Sequence, residues 1–121
     1  MVDLPNISLG KSGEKIAISY LTSLGYKIID QNFRFRGGEI DLVALDGGSL
    51  VFIEVKTRKS EHFGRAEDAI TATKRRTLIR SAHVYKLTHK NLPDSLRIDV
   101  VTICFTNVLS PQIAVYKNIT L

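Results

Sequence analysis

Two carboxylates and a lysine in neighbouring strand-like segments could carry hydrolytic chemistry. Asp41 lies in the extended segment 39–46, whereas Glu54 and Lys56 lie in the extended segment 49–57. Acidic residues are depleted in β-strands, so a pair of them in two adjacent strands needs an explanation. Carboxylate oxygens are hard ligands that suit Mg²⁺ or Mn²⁺, and a lysine beside such an ion could stabilise an attacked phosphoryl group. The pattern therefore indicates a site for phosphodiester hydrolysis.

A tight turn would place these residues on one face of a β-hairpin. The sequence Asp46-Gly47-Gly48 is a strong turn signal, and a two-residue Gly-Gly turn pairs positions whose numbers sum to 95. The predicted pairs are Asp46 with Ser49, Asp41 with Glu54, and Glu39 with Lys56. Because side chains alternate along a strand, all of them project from the same face. A longer loop would shift this register.

Paired carboxylates at this spacing need a compensating positive charge. The Cβ atoms of paired strand residues lie about 5 Å apart, where two charges repel by roughly 3 kcal/mol at an effective dielectric constant of 20. Lys56 could neutralise one carboxylate, and a divalent cation could neutralise both. The alternative is a solvated ladder of charges, which Leu50 and Phe52 on the same predicted face disfavour.

A third carboxylate is expected from the first helix, predicted over residues 9–24. Gly25 is typical of a helix end, and the apolar residues fall on one face: Ile16, Ala17, Tyr20, Leu21 and Leu24. At 100° per residue, Gly13 falls within this stripe, where it would admit another backbone, and Glu14 falls at its edge. Glu14 could join the hairpin carboxylates directly or through water. The alternative is a first-turn carboxylate that the helix dipole favours.

Positive charge is concentrated in the middle of the chain. The net charge is +5, and residues 56–97 hold 11 Lys/Arg against 4 Asp/Glu, whereas residues 1–55 hold 5 against 7. Such clustering is typical of a surface that binds nucleic acid. The candidate phosphate-contacting residues are Arg34, Arg36, Arg58, Lys74, Arg75, Arg76 and Arg80. The alternatives are solubility charge on a helix face and basic residues that protect a strand edge.

The remaining pattern predicts a mixed α/β domain. A first strand is predicted over residues 26–32, before the hairpin. A polar loop is predicted over residues 58–67, a helix from the N-cap Thr71 to Leu87, and strands over residues 97–105 and 112–119. The order helix, three strands, helix, two strands predicts one domain over residues 1–121, with a mixed sheet of about five strands flanked by helices.

Composition favours a globular protein of the cytoplasm. The chain has 121 residues, of which 44% are hydrophobic and 24% charged, enough for one modest core. No stretch approaches the roughly 20 apolar residues of a membrane span, and residues 1–12 lack the pattern of a signal peptide. Cys104 is the only cysteine, which excludes an intramolecular disulfide and favours a reducing compartment.

Several segments, in order, resemble one protein family. Asp41 followed by Glu54-Val55-Lys56 resembles the PD-(D/E)xK nuclease motif, and Glu14 resembles the added helix carboxylate of Holliday-junction-resolvase-like members. Over about residues 10–104 the chain more closely resembles the YraN-like family of bacterial predicted endonucleases. The matching segments are residues 10–17, 25–26, 32–34, 38–42, 51–58, 74–76 and 97–101. The chain departs from the PD-(D/E)xK motif at one position: Ile40 stands where the motif has a proline before the aspartate.

The resemblance implies a restriction-endonuclease-like three-layer fold and a Mg²⁺- or Mn²⁺-dependent endonuclease. Asp41, Glu54 and Glu14 would bind the metal, and Lys56 would complete the catalytic set. The implied substrate is nucleic acid, in particular branched or damaged DNA, and a homodimer is expected because members that cut both strands often pair. Two alternatives stay open: a module that keeps the fold and only binds nucleic acid, and a protein-interaction domain.

Overall fold

The sheet that carries the predicted carboxylates has five strands. The computed structural model describes residues 8–58, 70–105 and 110–119. Its elements are α1 (Ser8–Ser23), β1 (Lys27–Phe35), β2 (Gly38–Asp46), β3 (Ser49–Arg58), α2 (Ala72–Thr88), β4 (Ser95–Cys104) and β5 (Gln112–Tyr116). The strand order is β1-β2-β3-β4-β5, and neighbours are antiparallel except for the parallel pair β3–β4. The predicted mixed sheet of about five strands is therefore confirmed.

One helix covers each face of the sheet. α1 buries Ala17 and Leu21 against one face, and α2 buries Leu78 against the other. The central strand β3 is apolar on both faces because it supplies Ile53 to the α1 core and Phe52 to the α2 core. The result is the three-layer α/β/α arrangement expected from the sequence. Among the described residues, no helix is long and apolar enough to cross a membrane.

The predicted helix boundaries are close to the observed ones for identifiable reasons. Gly25 has a left-handed backbone, with φ of 98°, and the Tyr26 amide donates to the Leu21 carbonyl at 3.0 Å, which closes α1. At the other helix, the Thr71 hydroxyl accepts a hydrogen bond from the Lys74 amide at 3.0 Å. Thr71 is thus the N-cap of α2, as predicted.

Other local predictions were less accurate. The first strand continues to Phe35, beyond the predicted end at residue 32. On α2, Ser81 is fully buried and donates to the Thr77 carbonyl at 2.8 Å, whereas the apolar Ile79 is only partly buried. A hydroxyl bonded to its own helix backbone can be buried at little cost, which composition does not reveal. Beyond Arg58, the predicted polar loop lies outside the described residues.

A buried ion-pair network anchors the β2–β3 turn to β4. Asp99 is fully buried and accepts hydrogen bonds from the Tyr26 hydroxyl at 2.7 Å and from Arg97 Nε at 2.9 Å. Arg97 Nη2 lies 2.6 Å from Oδ2 of Asp46, and Lys117 Nζ lies 3.4 Å from the same oxygen. Arg97 and Asp99 thus form a local ion pair whose role is structural, because every charge in the network is matched.

Asp46→Asn tests this network through its pH dependence. The hydrogen bond from Arg97 lowers the pKa of Asp46 below its usual 3.8, although burial acts in the opposite direction. A depressed carboxyl pKa stabilises the fold above pH 4, and this contribution is lost as the pH falls through the folded-state pKa. We expect Asp46→Asn to cost about 1 kcal/mol at pH 7. Urea unfolding at pH 7 and pH 3 should show this difference shrinking in acid; an equal difference at both values would contradict the role.

Gly13 lets α1 approach β3 closely. A Cβ at this position would collide with the side chain of Thr57, which lies next to the predicted site lysine. Gly13→Ala should therefore lower the free energy of unfolding by about 1–3 kcal/mol, since overpacking forces backbone shifts. Gly48→Ala is the matched control because nothing lies within 4 Å of its Cβ position. Thermal unfolding of both variants measures this, and Thr57→Ser should restore part of the loss in Gly13→Ala.

Candidate active site

The β2–β3 hairpin keeps the predicted register until the strands reach the candidate site. Paired positions sum to 95, and the last pair is Leu42 with Ile53. Asp41 follows directly, and its Oδ2 accepts a hydrogen bond from the Val55 amide at 2.9 Å. Where the two strands diverge, the Asp41 carboxylate thus takes the place of a backbone carbonyl as the acceptor for the Val55 amide. This hydrogen bond fixes the Asp41 carboxylate beside Glu54.

The predicted pairing of Glu39 with Lys56 is wrong. Glu39 pairs with Arg34 on β1, and their side chains form an ion pair with 3.4 Å between Oε1 and Nε. Lys56 contacts its own strand neighbour, with Nζ 3.4 Å from Oε2 of Glu54. The prediction failed because it extended a regular ladder through Asp41, whereas the paired register of β2 and β3 stops one residue earlier.

The backbones of β1 and β2 are irregular beside the point where the β2–β3 ladder ends. Ile40 lies in the α2 core and Leu42 in the α1 core, although residues two apart in a regular strand share a face. On β1, Asn32 lies between the partners of these two residues and has a left-handed backbone, with φ of 51°. Asn adopts this conformation more readily than most residues. The register shift between β1 and β2 lies earlier, between Ile28 and Asp30, and the partners on either side of Asn32 and Asp41 keep one register.

Glu54 is the buried centre of the candidate site. Its residue surface is only 3% exposed. The ammonium groups of Lys56 and Lys74 lie 3.4 and 3.6 Å from the same carboxylate oxygen, Oε2. The other oxygen, Oε1, is buried and has no hydrogen-bond partner among the described residues. One side of the carboxylate is therefore neutralised, and the other side is left for a further ligand.

The electrostatics of Glu54 favour an added positive charge. Burial, followed by the negative charge of Asp41, raises the pKa of Glu54 to about 7, although Lys74 and Lys56 oppose this shift. The nearby Asp41 side chain raises this pKa in a second way, because it can accept a hydrogen bond from Glu54 only when Glu54 is protonated. A divalent cation between two such carboxylates would remove their repulsion and favour the ionised form. The donor set therefore fits a hard metal ion.

Glu14 approaches the same region from α1. It is partly buried, and burial, followed by the charge of Asp41, raises the pKa of its carboxyl group. A hydrogen bond from the Asn32 side chain opposes this shift. Within the described ranges, no three His, Cys, Asp or Glu side chains could hold one metal ion together. Both binding modes of Glu14, direct and through water, stay predictions.

Some of the predicted basic residues lie around one groove beside the carboxylates. Arg34 and Lys74 line an open groove of about 780 Å³ between the β1–β2 turn and the first turns of α2. Gly37 lines the same groove, and Nη1 of Arg80 lies 4.0 Å from the position that a Cβ would take there. Arg36 is exposed in that turn. These four charges from two elements form a single positive region.

The other basic candidates do not line this groove. Arg76 is exposed and donates from Nη2 to the Thr73 hydroxyl at 3.4 Å. Arg75 is partly buried on α2, and Arg58 ends β3, where its carbonyl accepts from the Phe105 amide at 2.7 Å. A phosphate-contacting role for these three stays a prediction.

Sequence reasoning missed two contributions to the site. Asn32 was not singled out, although an asparagine inside a strand-like segment is a possible sign of left-handed backbone. Lys74 was predicted to contact phosphate, but its ion pair with Glu54 has no sequence signal. That contact depends on how α2 crosses over the sheet between β3 and β4.

Glu54→Gln should stabilise the metal-free protein. A folded-state pKa above the usual 4.5 means that the ionised carboxylate destabilises the fold as the pH rises from 4.5 through 7. The glutamine removes this charge, so we expect the free energy of unfolding to increase by about 1–3 kcal/mol at pH 8. Urea unfolding in EDTA at pH 8 and pH 4.5 measures the effect, which should be small at the lower pH. A less stable variant at pH 8 would contradict the proposed charge imbalance.

Comparison with known proteins places these residues inside a matched stretch. The model of the family described as "Uncharacterised protein family UPF0102" matches residues 13–103. The chain is 45% identical to a UPF0102 protein of Geobacter metallireducens, over 97% of this chain and 95% of that protein. It is 48% identical to UPF0102 protein STH1475 of Symbiobacterium thermophilum, over 78% of this chain and 80% of that protein. It is 45% identical to UPF0102 protein GSU0650 of Geobacter sulfurreducens, over 95% of this chain and 88% of that protein.

Proposed function

Because the chain belongs to the uncharacterised protein family UPF0102, the YraN-like family that its motifs resemble, we propose a function from the site itself: a metal-dependent endonuclease that hydrolyses phosphodiester bonds in nucleic acid. The proposed substrate is DNA, including branched or damaged DNA, and the proposed cofactor is Mg²⁺ or Mn²⁺. A cytoplasmic location and a homodimer belong to the same proposal, since two copies could cut both strands of a duplex.

The uneven setting of the Glu54 carboxylate carries this proposal. Both lysines contact Oε2, whereas Oε1 is buried without a hydrogen-bond partner among the described residues. A purely structural carboxylate would be expected to have both oxygens satisfied, because an unpaired buried acceptor costs about 1–3 kcal/mol. An unsatisfied oxygen beside Asp41 is what a site for a positively charged ligand requires.

The residues that would hold the metal are Asp41 and Glu54, with Glu14 reaching it through water. Mg²⁺ is commonly bound by one or two carboxylates, and waters and substrate phosphate complete its shell. When bound, such an ion polarises a phosphoryl oxygen and lowers the pKa of a coordinated water. The Val55 amide already holds Asp41 in place, so this ligand does not have to be ordered when the ion arrives.

Lys56 is the proposed catalytic lysine. Its ammonium contacts Glu54, and about a third of its side-chain surface is exposed, so it can also meet a substrate phosphate. In hydrolysis, the oxygen of a water molecule bonds to phosphorus, the bond from phosphorus to one sugar oxygen breaks, and that oxygen takes up a proton. Negative charge grows on the phosphoryl oxygens along the way, and the ammonium of Lys56 stabilises it.

One observation favours the non-catalytic alternative, a module that only binds nucleic acid. Lys56 and Lys74 already neutralise part of the charge on Glu54, so the site has two positive charges without a metal. A protein of this kind would bind nucleic acid in EDTA, with strong salt dependence, and would cut none.

Mn²⁺ titration and cleavage assays together test the proposal. By calorimetry, we expect saturable Mn²⁺ binding that Asp41→Asn abolishes, with and without a non-cleavable DNA four-way junction. Metal-dependent cleavage of branched DNA should fall at least about 100-fold in Asp41→Asn and in Lys56→Ala, because each loses charge stabilisation at the phosphate. Asp94→Asn, an exposed loop residue, is the control and should match the wild type.

The outcomes separate the two functions. Cleavage that survives both Asp41→Asn and Lys56→Ala would rule out this site. Salt-sensitive DNA binding without any Mn²⁺ binding, even in the presence of DNA, would establish the non-catalytic module instead.

A further inference from the structure

The groove beside the carboxylates has walls from two elements. The β1–β2 turn contributes Arg34, Phe35 and Gly37 to one wall, with Gly38 and Glu39, and the start of α2 contributes the other wall. The α2 residues are Thr71, Thr73, Lys74 and Thr77. At about 780 Å³ the groove is the size of a ligand-binding cleft, and it is open on its outer side. It can therefore admit a chain that passes through.

The lining is suited to a phosphodiester backbone. Two cationic side chains, three threonine hydroxyls and two glycines line the groove, which is the mix that contacts phosphate and sugar in protein–DNA interfaces. The first turn of α2 contains no acidic residue. The partial positive charge that the helix dipole places there is therefore not cancelled by a carboxylate of that turn. A further arginine, Arg80, lies within reach of Gly37.

Lys74 joins this groove to the candidate active site. Its side chain lines the groove, and its ammonium also lies 3.6 Å from Oε2 of Glu54. About a third of the Lys74 side chain is exposed, so a phosphate in the groove could compete with Glu54 for the same ammonium. A strand in the groove would thus lie within one side-chain length of the carboxylates.

We infer that this groove binds the sugar-phosphate backbone of a nucleic-acid strand next to the bond that is cut, and that Lys74 is shared between that strand and Glu54. The inference rests on the proposed function for the identity of its ligand. Drawing Lys74 towards a phosphate leaves Glu54 with less neutralising charge, which favours a divalent cation. By linkage, strand binding and metal binding strengthen each other.

Substitution of Glu39 should increase the affinity for nucleic acid instead of lowering it. Among the described residues that line the groove it is the one acid, and it holds Arg34 in an ion pair. A carboxylate here repels phosphate and competes with it for the guanidinium. Removing its charge should therefore tighten binding, and a gain in affinity does not result from a damaged fold.

The experiment measures fluorescence anisotropy of a labelled single-stranded DNA oligonucleotide with the full chain in EDTA, across a salt series. Arg34→Gln should weaken binding about 3- to 10-fold and reduce the slope of log K against log salt by about 1. Glu39→Gln should tighten binding about 2- to 5-fold. The matched controls are Lys90→Gln and Asp94→Asn, which make the same charge changes in exposed residues. Both follow the C-terminal end of α2 at Thr88, which is about 21 Å along the helix from Lys74.

A second titration tests the shared lysine. Mn²⁺ affinity of the wild type should rise several-fold when a non-cleavable oligonucleotide is present, and this rise should shrink in Lys74→Gln. An equal rise in both proteins would overturn the sharing of Lys74.

The groove assignment and the proposed nuclease activity fail in different ways. If the groove variants respond as expected and no substrate is cut, the groove stands and the endonuclease proposal falls. If the wild type cuts DNA while Arg34→Gln and Glu39→Gln behave like their controls, the groove assignment falls. Absence of any oligonucleotide binding by the wild type would also overturn it.

Discussion

The burial of the Glu54 carboxylate beside Asp41 is the constraint on which the candidate site depends. A charge at 3% exposure next to another carboxylate is unfavourable unless positive groups surround it. Lys56 comes from the same strand and Lys74 from the covering helix, and both reach only one of the two oxygens. The unmatched oxygen is unfavourable for stability, and under the proposed function it would bind a cation; stability and function commonly compete in this way.

Asp99 on β4, which pairs with Ile53, shows what a satisfied buried carboxylate looks like. Asp99 is also fully buried, but both of its oxygens accept hydrogen bonds, from Arg97, from the Tyr26 hydroxyl and from the Asn118 amide. This network fixes the β2–β3 turn against β4, so the two carboxylate-bearing strands start from a rigid base. The contrast between Asp99 and Glu54, two buried acids in adjacent parallel strands, separates a structural carboxylate from a candidate ligand by hydrogen bonding alone.

The topology explains why the site and the groove lie together. A parallel pair of strands requires a crossover, and α2 forms that crossover between β3 and β4. Its first turns therefore lie over the half of β3 that carries Glu54, and they bring Lys74 to the carboxylate. The residues around the β1–β2 turn line the other side of the groove. The end of a hairpin and the start of a helix thus define one groove beside two acids.

The sequence by itself determined the elements and most of the chemical groups. The turn at Gly47-Gly48, the cap at Thr71 and the glycine after α1 are local signals, so the hairpin register and both helices could be predicted from neighbouring residues alone. Only the tertiary structure decided how these groups meet. The end of the β2–β3 ladder at Asp41, the loss of the Glu39–Lys56 pair and the contact of Lys74 with Glu54 depend on where the strands diverge and on how a helix crosses the sheet. These features arise from packing between segments far apart in the chain, which local patterns of residues do not record.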